Sequence, residues 1–411
     1  MKVDTMRVID RWTGIPLTFL LTLILKPWER FMLRRNRGSQ PDVSRTLFIE
    51  LSEMGSAIIV DPAMKKLKAE RNAELFFVIF EDNAKSLNIL GTIPKENIFT
   101  MRVNSLANLA IDIFRFMAWC REKRITTCID LELFSRFTAL LSAVSGAASR
   151  IGYSTHHDEG CYRGDLITHP VRYNAHTHIV KNFMALTNTA LGLNNKDYST
   201  YPINDNEIVL DQVTSTESEL DSVREKITTI YPDFKNQRIV LINPNASELL
   251  PQRRWLAEYF AEVMTALLNT HDDILIMITG APAERADADK LLRQVNHARC
   301  VNSAGVFTFE ELLPLYQLST VMLTNDSGPG HFSAVTPLKV YVLFGPETPA
   351  LYGSLGNAEN FYLALPCSPC VSAHNHRKTS CVERPCITGI KPKPVFDRIN
   401  TYLTQIPTQS I

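Results

Sequence analysis

The sequence of 411 residues carries no surplus of charge: 43 lysines and arginines face 43 aspartates and glutamates. That balance excludes a general nucleic-acid binder, which needs a basic excess to meet phosphates. The apolar run of the N-terminal region, Ile15–Leu25, has only eleven residues. As a helix it reaches about 16 Å against a hydrocarbon core of about 30 Å, and Lys26, Glu29 and Arg30 follow it, which argues against a spanning helix. No small-residue cleavage site follows the run either, which argues against a secretory signal. Charged residues make up 21% and hydrophobic residues 45% of the chain, a composition that fits a folded enzyme and leaves little room for long disorder.

What charge there is falls unevenly. Residues 1–40 hold eight basic residues (Lys2, Arg7, Arg11, Lys26, Arg30, Arg34, Arg35, Arg37) against three acids (Asp4, Asp10, Glu29), an excess that the remainder of the chain balances. Trp12 and Trp28 flank the apolar run. This head reads as an interfacial anchor, with tryptophan at the headgroups and arginines on anionic lipid. A helix packed on the protein's own surface is the alternative.

The most informative stretch is 319–349, STVMLTNDSGPGHFSAVTPLKVYVLFGPETP. It reads as two apolar strands, 321–324 and 339–344, separated by a glycine-rich turn and a short helix from His331 to Val335. A strand, a glycine turn and a helix start in succession suit a phosphate, because glycines let backbone approach and free N–H groups point outward. A helix end offers only about half a charge, so a diphosphate also needs basic side chains. Arg253 and Arg254, in the string NPNASELLPQRRW after the strand 239–243, supply them.

The strings TNDSGPGHFSA and VYVLFGPETP resemble the C-terminal signature of glycosyltransferase family nine, the ADP-heptose:lipopolysaccharide heptosyltransferases. Asp326, Ser327, Gly328, His331, Phe344, Gly345, Pro346 and Pro349 match it, with Glu347-Thr348 in place of a Thr-Asp pair. The resemblance implies α/β domains in a GT-B architecture, two Rossmann-like domains facing across a cleft; the head, outside the resembled stretch, is expected as an N-terminal membrane-associating helical segment. It implies donor-site residues Asn243, Arg253, Arg254, Gly280, Glu284, Asp326, Ser327, Gly328, Gly330, His331 and Gly345. For Glu284, contact with ribose hydroxyls and helix capping are equally good readings. The implied reaction moves a sugar, heptose from ADP-heptose, to a lipid-linked glycan on the cytoplasmic face of the inner membrane.

The N-terminal signature is damaged. In the turn Ser52-Glu53-Met54-Gly55-Ser56, Gly55 and the later Pro62 match the family, but the aspartate it uses as a base is replaced by Ser56. A hydroxyl does not serve as a base at neutral pH. Glu53 is therefore the expected catalytic base, with Asp61 as the second candidate and, as the alternative, Glu53 as a solvated loop acid with the base elsewhere, while Gly55, Ser56, Arg163 and Arg172 are expected around the acceptor. Because of Ser56, an epimerase or hydrolase of nucleotide sugars, or a binding protein without turnover, remains an alternative.

Two clusters invite a metal reading. Cys367-x2-Cys370-x10-Cys381-x4-Cys386 suggests a structural zinc, with buried free thiols as the alternative. The histidines of 151–179 (His156, His157, His169, His176, His178) match no zinc spacing and read as a surface loop. No Asp-x-Asp metal motif stands out, and the resembled fold needs no catalytic metal. The domain plan expected is a head of 1–40, an acceptor domain of 41–200, a linker and helix of 201–236, a donor domain of 237–390 and a C-terminal helix of 391–411.

Overall fold

Apolar runs without alternation, such as TLFI, LFFVIF, IVLI and ILIMI, suit strands covered on both faces, which is the condition of a parallel sheet between helices. The computed structural model describes residues 3–35, 40–52, 54–154, 161–194, 199–235, 237–247 and 249–406. Glu53, Arg37, His156, His157, Asp158 and Glu159 lie outside them. The chain divides into two units, one of Met1–Val209 with Ala373–His376, the other of Leu210–Ser372 with Arg377–Ile411.

In the first unit the strands are β1 (Arg45–Ile49), β2 (Glu74–Phe80), β3 (Ile98–Met101), β4 (Thr127–Asp130), β5 (Ser149–Tyr153) and β6 (His169–Val171). They form one sheet in the order β3-β2-β1-β4-β5-β6. In the second they are β7 (Arg238–Asn243), β8 (Ile274–Ile278), β9 (Cys300–Asn302), β10 (Ser319–Asn325), β11 (Lys339–Leu343) and β12 (Ala358–Phe361), ordered β12-β11-β10-β7-β8-β9. Every pairing is parallel. Each sheet thus has the dinucleotide-fold order, counted outward from its first strand, and its connection reverses direction between β1 and β4 or between β7 and β10. Beyond the C-terminal ends of those central pairs, ligands find open crevices.

The cores follow from this. Leu47, Ile49, Phe76 and Val78 pack with Phe116 and Cys120 of the helix Leu106–Glu122. In the second unit Val240, Ile242, Ile276 and Leu323 pack with the helix Ala257–Thr270 and with Val395, Ile399 and Leu403 of the C-terminal helix Pro392–Gln405. That last helix belongs to the second core because its buried residues recur at four-residue spacing.

The head forms two helices, Val3–Trp12 and Gly14–Arg35. Leu21 and Leu25 pack on Ala139, Ala143 and Leu166. Asp10 accepts from the Arg136 and Phe137 N–H groups at 2.9 Å each and pairs with the Arg136 guanidinium. Lys26 pairs with Asp165, and Thr22 Oγ1 accepts from the Asp165 N–H at 3.0 Å. The opposite face presents Leu17, Phe19, Leu20, Leu23 and Ile24 to solvent. Among the described residues no helix is long and apolar enough to cross a membrane.

Candidate functional site

In the second unit, polar side chains gather at the crevice between β7 and β10. Asn325, the last residue of β10, ties it together: its Nδ2 donates to the Pro244 carbonyl at 2.8 Å and its Oδ1 accepts from the Trp255 N–H at 3.0 Å. This fixes the loop 244–255 and with it Arg253. Arg253, Asp326 and Glu347 are all buried, at 9%, 3% and 1% exposure. Arg253 Nη1 lies 3.4 Å from Glu347 Oε2 and 3.6 Å from Asp326 Oδ2. Arg377 takes Glu347 more tightly, Nε to Oε1 at 2.7 Å and Nη2 to Oε2 at 3.0 Å.

The electrostatics divide the two acids. Burial pushes the Asp326 carboxyl up to about 8, with Arg253 opposing and Glu347 adding to the rise. Burial acts on Glu347 in the same sense, but Arg377 and Arg253 outweigh it and hold its carboxyl below the ordinary value. The four groups therefore hold a proton among them near neutrality, which leaves an excess of positive charge. Three buried polar atoms here have no hydrogen-bond partner: Asn245 Nδ2, Arg253 Nε and Asp326 Oδ2. Buried polar groups are nearly always paired, so a cluster of orphans at a strand-end crevice marks a place for a polar ligand.

Other expected donor residues take humbler positions. Arg254 turns back to donate Nε and Nη2 to the Ala246 carbonyl at 3.1 and 2.7 Å, which braces the loop. Asn243 Nδ2 donates to Thr279 Oγ1 at 3.2 Å. Glu284 Oε2 accepts from the Ala281 N–H at 2.6 Å, so this carboxylate caps its own turn. Ser327 precedes the helix Gly328–Phe332, which spans five residues and includes His331, and its hydroxyl donates back to the Asn325 carbonyl at 3.1 Å. At three of the expected glycines a Cβ would meet the protein itself. A Cβ on Gly330 would face Thr324 and Val342 at 3.7 Å, against the protein's own sheet. On Gly345 it would stand 3.0 Å from Ile387 Cβ, and on Gly280 2.9 Å from Asn245 Nδ2. A literal Asp-x-Asp, Asp287-Ala288-Asp289, lies inside the helix Arg285–Val295, where Asp287 pairs with Lys290 and Asp289 accepts from Asn302.

In the first unit, Glu132 spans the crevice between β1 and β4. Its Oε1 accepts from the Leu51 N–H at 3.0 Å, the Ser52 N–H at 3.2 Å and Ser52 Oγ at 2.9 Å. This anchors the turn that leads to Gly55 and Ser56. Ser56 is buried as the first residue of the helix Ser56–Ile59, and Gly55 caps it. Glu53 falls outside the described residues. Asp61 is corrected as a candidate base: it is fully buried, pairs with Lys65 at 2.6 Å and accepts from the Thr92 hydroxyl, so it cannot reach an acceptor. Arg163 is corrected as an acceptor contact. It is buried against Asp130, with Nε on the Ser135 carbonyl at 2.9 Å, Nη1 on the Tyr153 carbonyl at 3.0 Å and Nη2 on Thr138 at 3.0 Å. Burial pushes the Asp130 carboxyl up, and Arg163 opposes the shift. Arg172 is exposed just past β6.

The four clustered cysteines are free thiols. Cys370 Sγ meets Thr379 Oγ1 at 3.7 Å, Cys381 Sγ accepts from the Arg384 N–H at 3.3 Å, and burial raises the Cys386 thiol, with Cys370 adding to it. Among the described residues, no group of three or more histidines, cysteines or acids is placed to hold a metal ion. Cys367 is exposed and Cys386 buried, so the sequence's two readings, a structural zinc and buried free thiols, concern thiols of unlike burial.

Residues 115–380 match Glycosyltransferase family 9 (heptosyltransferase). The chain belongs to this family. Lipooligosaccharide heptosyltransferase 2 of Campylobacter jejuni is 28% identical over 170 residues, 41% of this chain and 51% of that protein. Lipopolysaccharide heptosyltransferase 2 of Salmonella typhimurium is 27% identical over 164 residues, 39% of this chain and 45% of that one. The match thus spans about half the length of these curated relatives. Among solved structures, E. coli ADP-heptose lps heptosyltransferase II superposes with a TM-score of 0.65 at 19% identity, covering 88% of this chain and 99% of that one. The glycosyl transferase family 9 protein from Veillonella parvula gives 0.69 at 16% identity, covering 90% and 99%. These likenesses give the fold, the GT-B-like α/β architecture of heptosyltransferases.

At the crevice of the second unit the structure gathers Arg253 and Asp326, both named from sequence, with Asn245, Asn325, Glu347 and Arg377, which sequence reasoning did not single out; in the first unit it likewise passed over Glu132. Glu347 had a signal, since a charged residue stands inside an otherwise apolar and turn-forming string. Arg377 had none, because its partner lies 30 positions away.

Proposed function

We propose that this family 9 chain is a glycosyltransferase that takes heptose from ADP-heptose and transfers it to a lipopolysaccharide-type glycan acceptor. The observation that carries the reading is the buried, partly unsatisfied group of Asn245, Arg253 and Asp326 at the switch point of the second sheet. Heptose as the sugar rests on the names of the relatives. Arg253 would meet the diphosphate and stabilise the charge that grows on it as the glycosidic bond breaks. The five-residue helix beyond Ser327 adds little, so the guanidinium is the main source of positive charge. Asp326, neutral near pH 7, would meet a hydroxyl of the donor without repelling its phosphates.

On the acceptor side, Glu53, three positions before the Ser56 that replaces the family's aspartate, is the group that takes the acceptor proton in this reading. No cofactor enters this reading. We further propose that the exposed apolar face of the helix Gly14–Arg35 seats the protein on the cytoplasmic face of the inner membrane, near a lipid-linked acceptor. The test is turnover of ADP-heptose by purified protein with and without a heptose-deficient lipopolysaccharide acceptor. Acceptor-dependent release of ADP supports transfer. Release that ignores acceptor indicates a hydrolase, and tight binding without release indicates a binding protein; either outcome overturns the proposal.

A further inference from the structure

Residues 367–372 and 377–387, conspicuous in sequence for their cysteines, close around the turn that carries Glu347. The Cys370 and Val371 N–H groups donate to the Pro346 carbonyl at 3.0 and 3.3 Å. Ser368 Oγ donates to the Gly345 carbonyl, and Gly345 lies directly against Ile387. At the centre, the Arg377 guanidinium engages both oxygens of Glu347 and lies 5.0 Å from the Tyr352 ring. Arg384 Nη1, from the same segment, donates to the Arg254 carbonyl at 3.1 Å, next to Arg253.

The quartet holds two carboxyls and two guanidinium groups, and they are shared unequally. Arg377 has the short, two-pronged contact, which is the strongest arrangement a carboxylate and an arginine make. Arg253 is left with one long hydrogen bond, Nη1 to Glu347 Oε2 at 3.4 Å, a 3.6 Å contact with Asp326 and an Nε without partner, although it is buried. A buried guanidinium normally closes onto any carboxylate in reach, since an unpaired charge inside a protein is costly. Here both Glu347 oxygens are already engaged by Arg377.

We propose that Arg377 is a positioning residue for donor binding: by occupying both oxygens of Glu347 it holds Arg253 to a single long hydrogen bond there and leaves the rest of that guanidinium open to the diphosphate of a nucleotide donor. The Cys-rich segment thereby acts on donor affinity without touching the donor. This rests on the donor reading given above. Without Arg377, Glu347 captures Arg253 in a two-pronged pair, and the diphosphate must compete with that pair.

The test is calorimetric titration of the full chain with ADP. Arg377→Met is expected to weaken ADP binding by about tenfold to a hundredfold, the range of one charge-assisted contact. Adding Glu347→Gln removes the captor, so the double variant R377M/E347Q is expected to return to within about threefold of wild type. A merely structural role predicts the reverse, a double variant at least as weak as the single one. ADP binding by R377M equal to wild type, or a double variant without recovery, overturns the proposal. Should R377M fail to fold, Arg377→Lys serves instead. Lysine keeps the charge but reaches Glu347 as a point donor, so affinity is expected to fall about threefold to tenfold, and wild-type affinity overturns the proposal. A wild-type chain that binds no ADP overturns the donor reading and this inference together, whereas wild-type binding with R377M unchanged overturns this one alone.

Discussion

Arg253 and Asp326 are buried within 3.6 Å of each other and share no hydrogen bond. Two opposite buried charges ordinarily close up, and this pair has not. Arg238 and Asp273, for comparison, pair with two hydrogen bonds of 2.7 and 2.9 Å.

Arg253→Met is expected to weaken ADP binding by about tenfold to a hundredfold, because one charge-assisted contact to phosphate contributes about 1.5–3 kcal/mol. Arg254→Met is expected to have a smaller effect, since that side chain braces the Ala246 carbonyl. Calorimetric titration of both variants checks the order, and a more severe Arg254 variant would show that the wrong arginine has been assigned.

Donor binding is expected to weaken with rising pH. Asp326 stays neutral in the folded protein up to about 8, whereas an unfolded aspartate ionises near pH 4. Folding therefore takes up a proton between those values, so this group's contribution to stability falls as pH rises through the window and levels off above it. Glu347, held below its ordinary value by Arg377 and Arg253, acts in the opposite sense: its contribution is present above the unfolded value and is lost as pH falls through the folded one. Above about pH 8 the ionised Asp326 adds negative charge beside the diphosphate. ADP affinity measured between about pH 7 and pH 9 should decline, and Asp326→Asn should flatten the slope. An affinity constant across that range counts against a protonated Asp326.

Glu53→Gln is expected to lower turnover about a hundredfold to ten-thousandfold with ADP binding intact, as removal of a general base does. Asp61→Asn is expected to lower the melting temperature through its buried contacts with Lys65 and Thr92, while the remaining folded enzyme keeps its turnover. Steady-state rates and thermal melts on the two variants separate base from buttress. A silent Glu53→Gln would remove the proposed base.

Arg163→Met leaves Asp130 buried without its cation, a loss of about 3–5 kcal/mol in comparable pairs. The expected result is a melting temperature lowered by several degrees or a chain that no longer folds. A variant as stable as wild type but with a raised acceptor KM would restore Arg163 as an acceptor contact.

The head is best tested by substitution, because deleting residues 1–40 would bare the packed surface of Ala139, Ala143 and Leu166. Leu20 and Ile24 are 54% and 68% exposed. Replacing both with glutamate should release the protein from vesicles of anionic lipid while leaving the melting temperature unchanged. Vesicle binding equal to wild type would end the membrane reading.

Local pattern determined much of this protein. Runs such as LFFVIF and ILIMI had to become strands buried on both faces, and the spacing of NPNASELLPQRRW and TNDSGPGH was enough to place Arg253 and Asp326 at strand ends, where a parallel sheet gathers ligands. Four-residue recurrence of Val395, Ile399 and Leu403 likewise marks one face of a helix. The fate of individual charges was decided only by tertiary structure. Arg163 looked like a basic residue of a polar loop and lies in the core against Asp130; Glu347 looked like a mild departure from a motif and is the centre of a buried ion cluster; Arg377 had no local signal at all. Periodicity is a property of neighbours in the chain, so sequence carries it. Whether a charge is solvated, paired or left waiting for a ligand depends on which distant residue the fold sets within about 4 Å of it, and that is decided only when the two strands of a crevice and the segment beyond them come together.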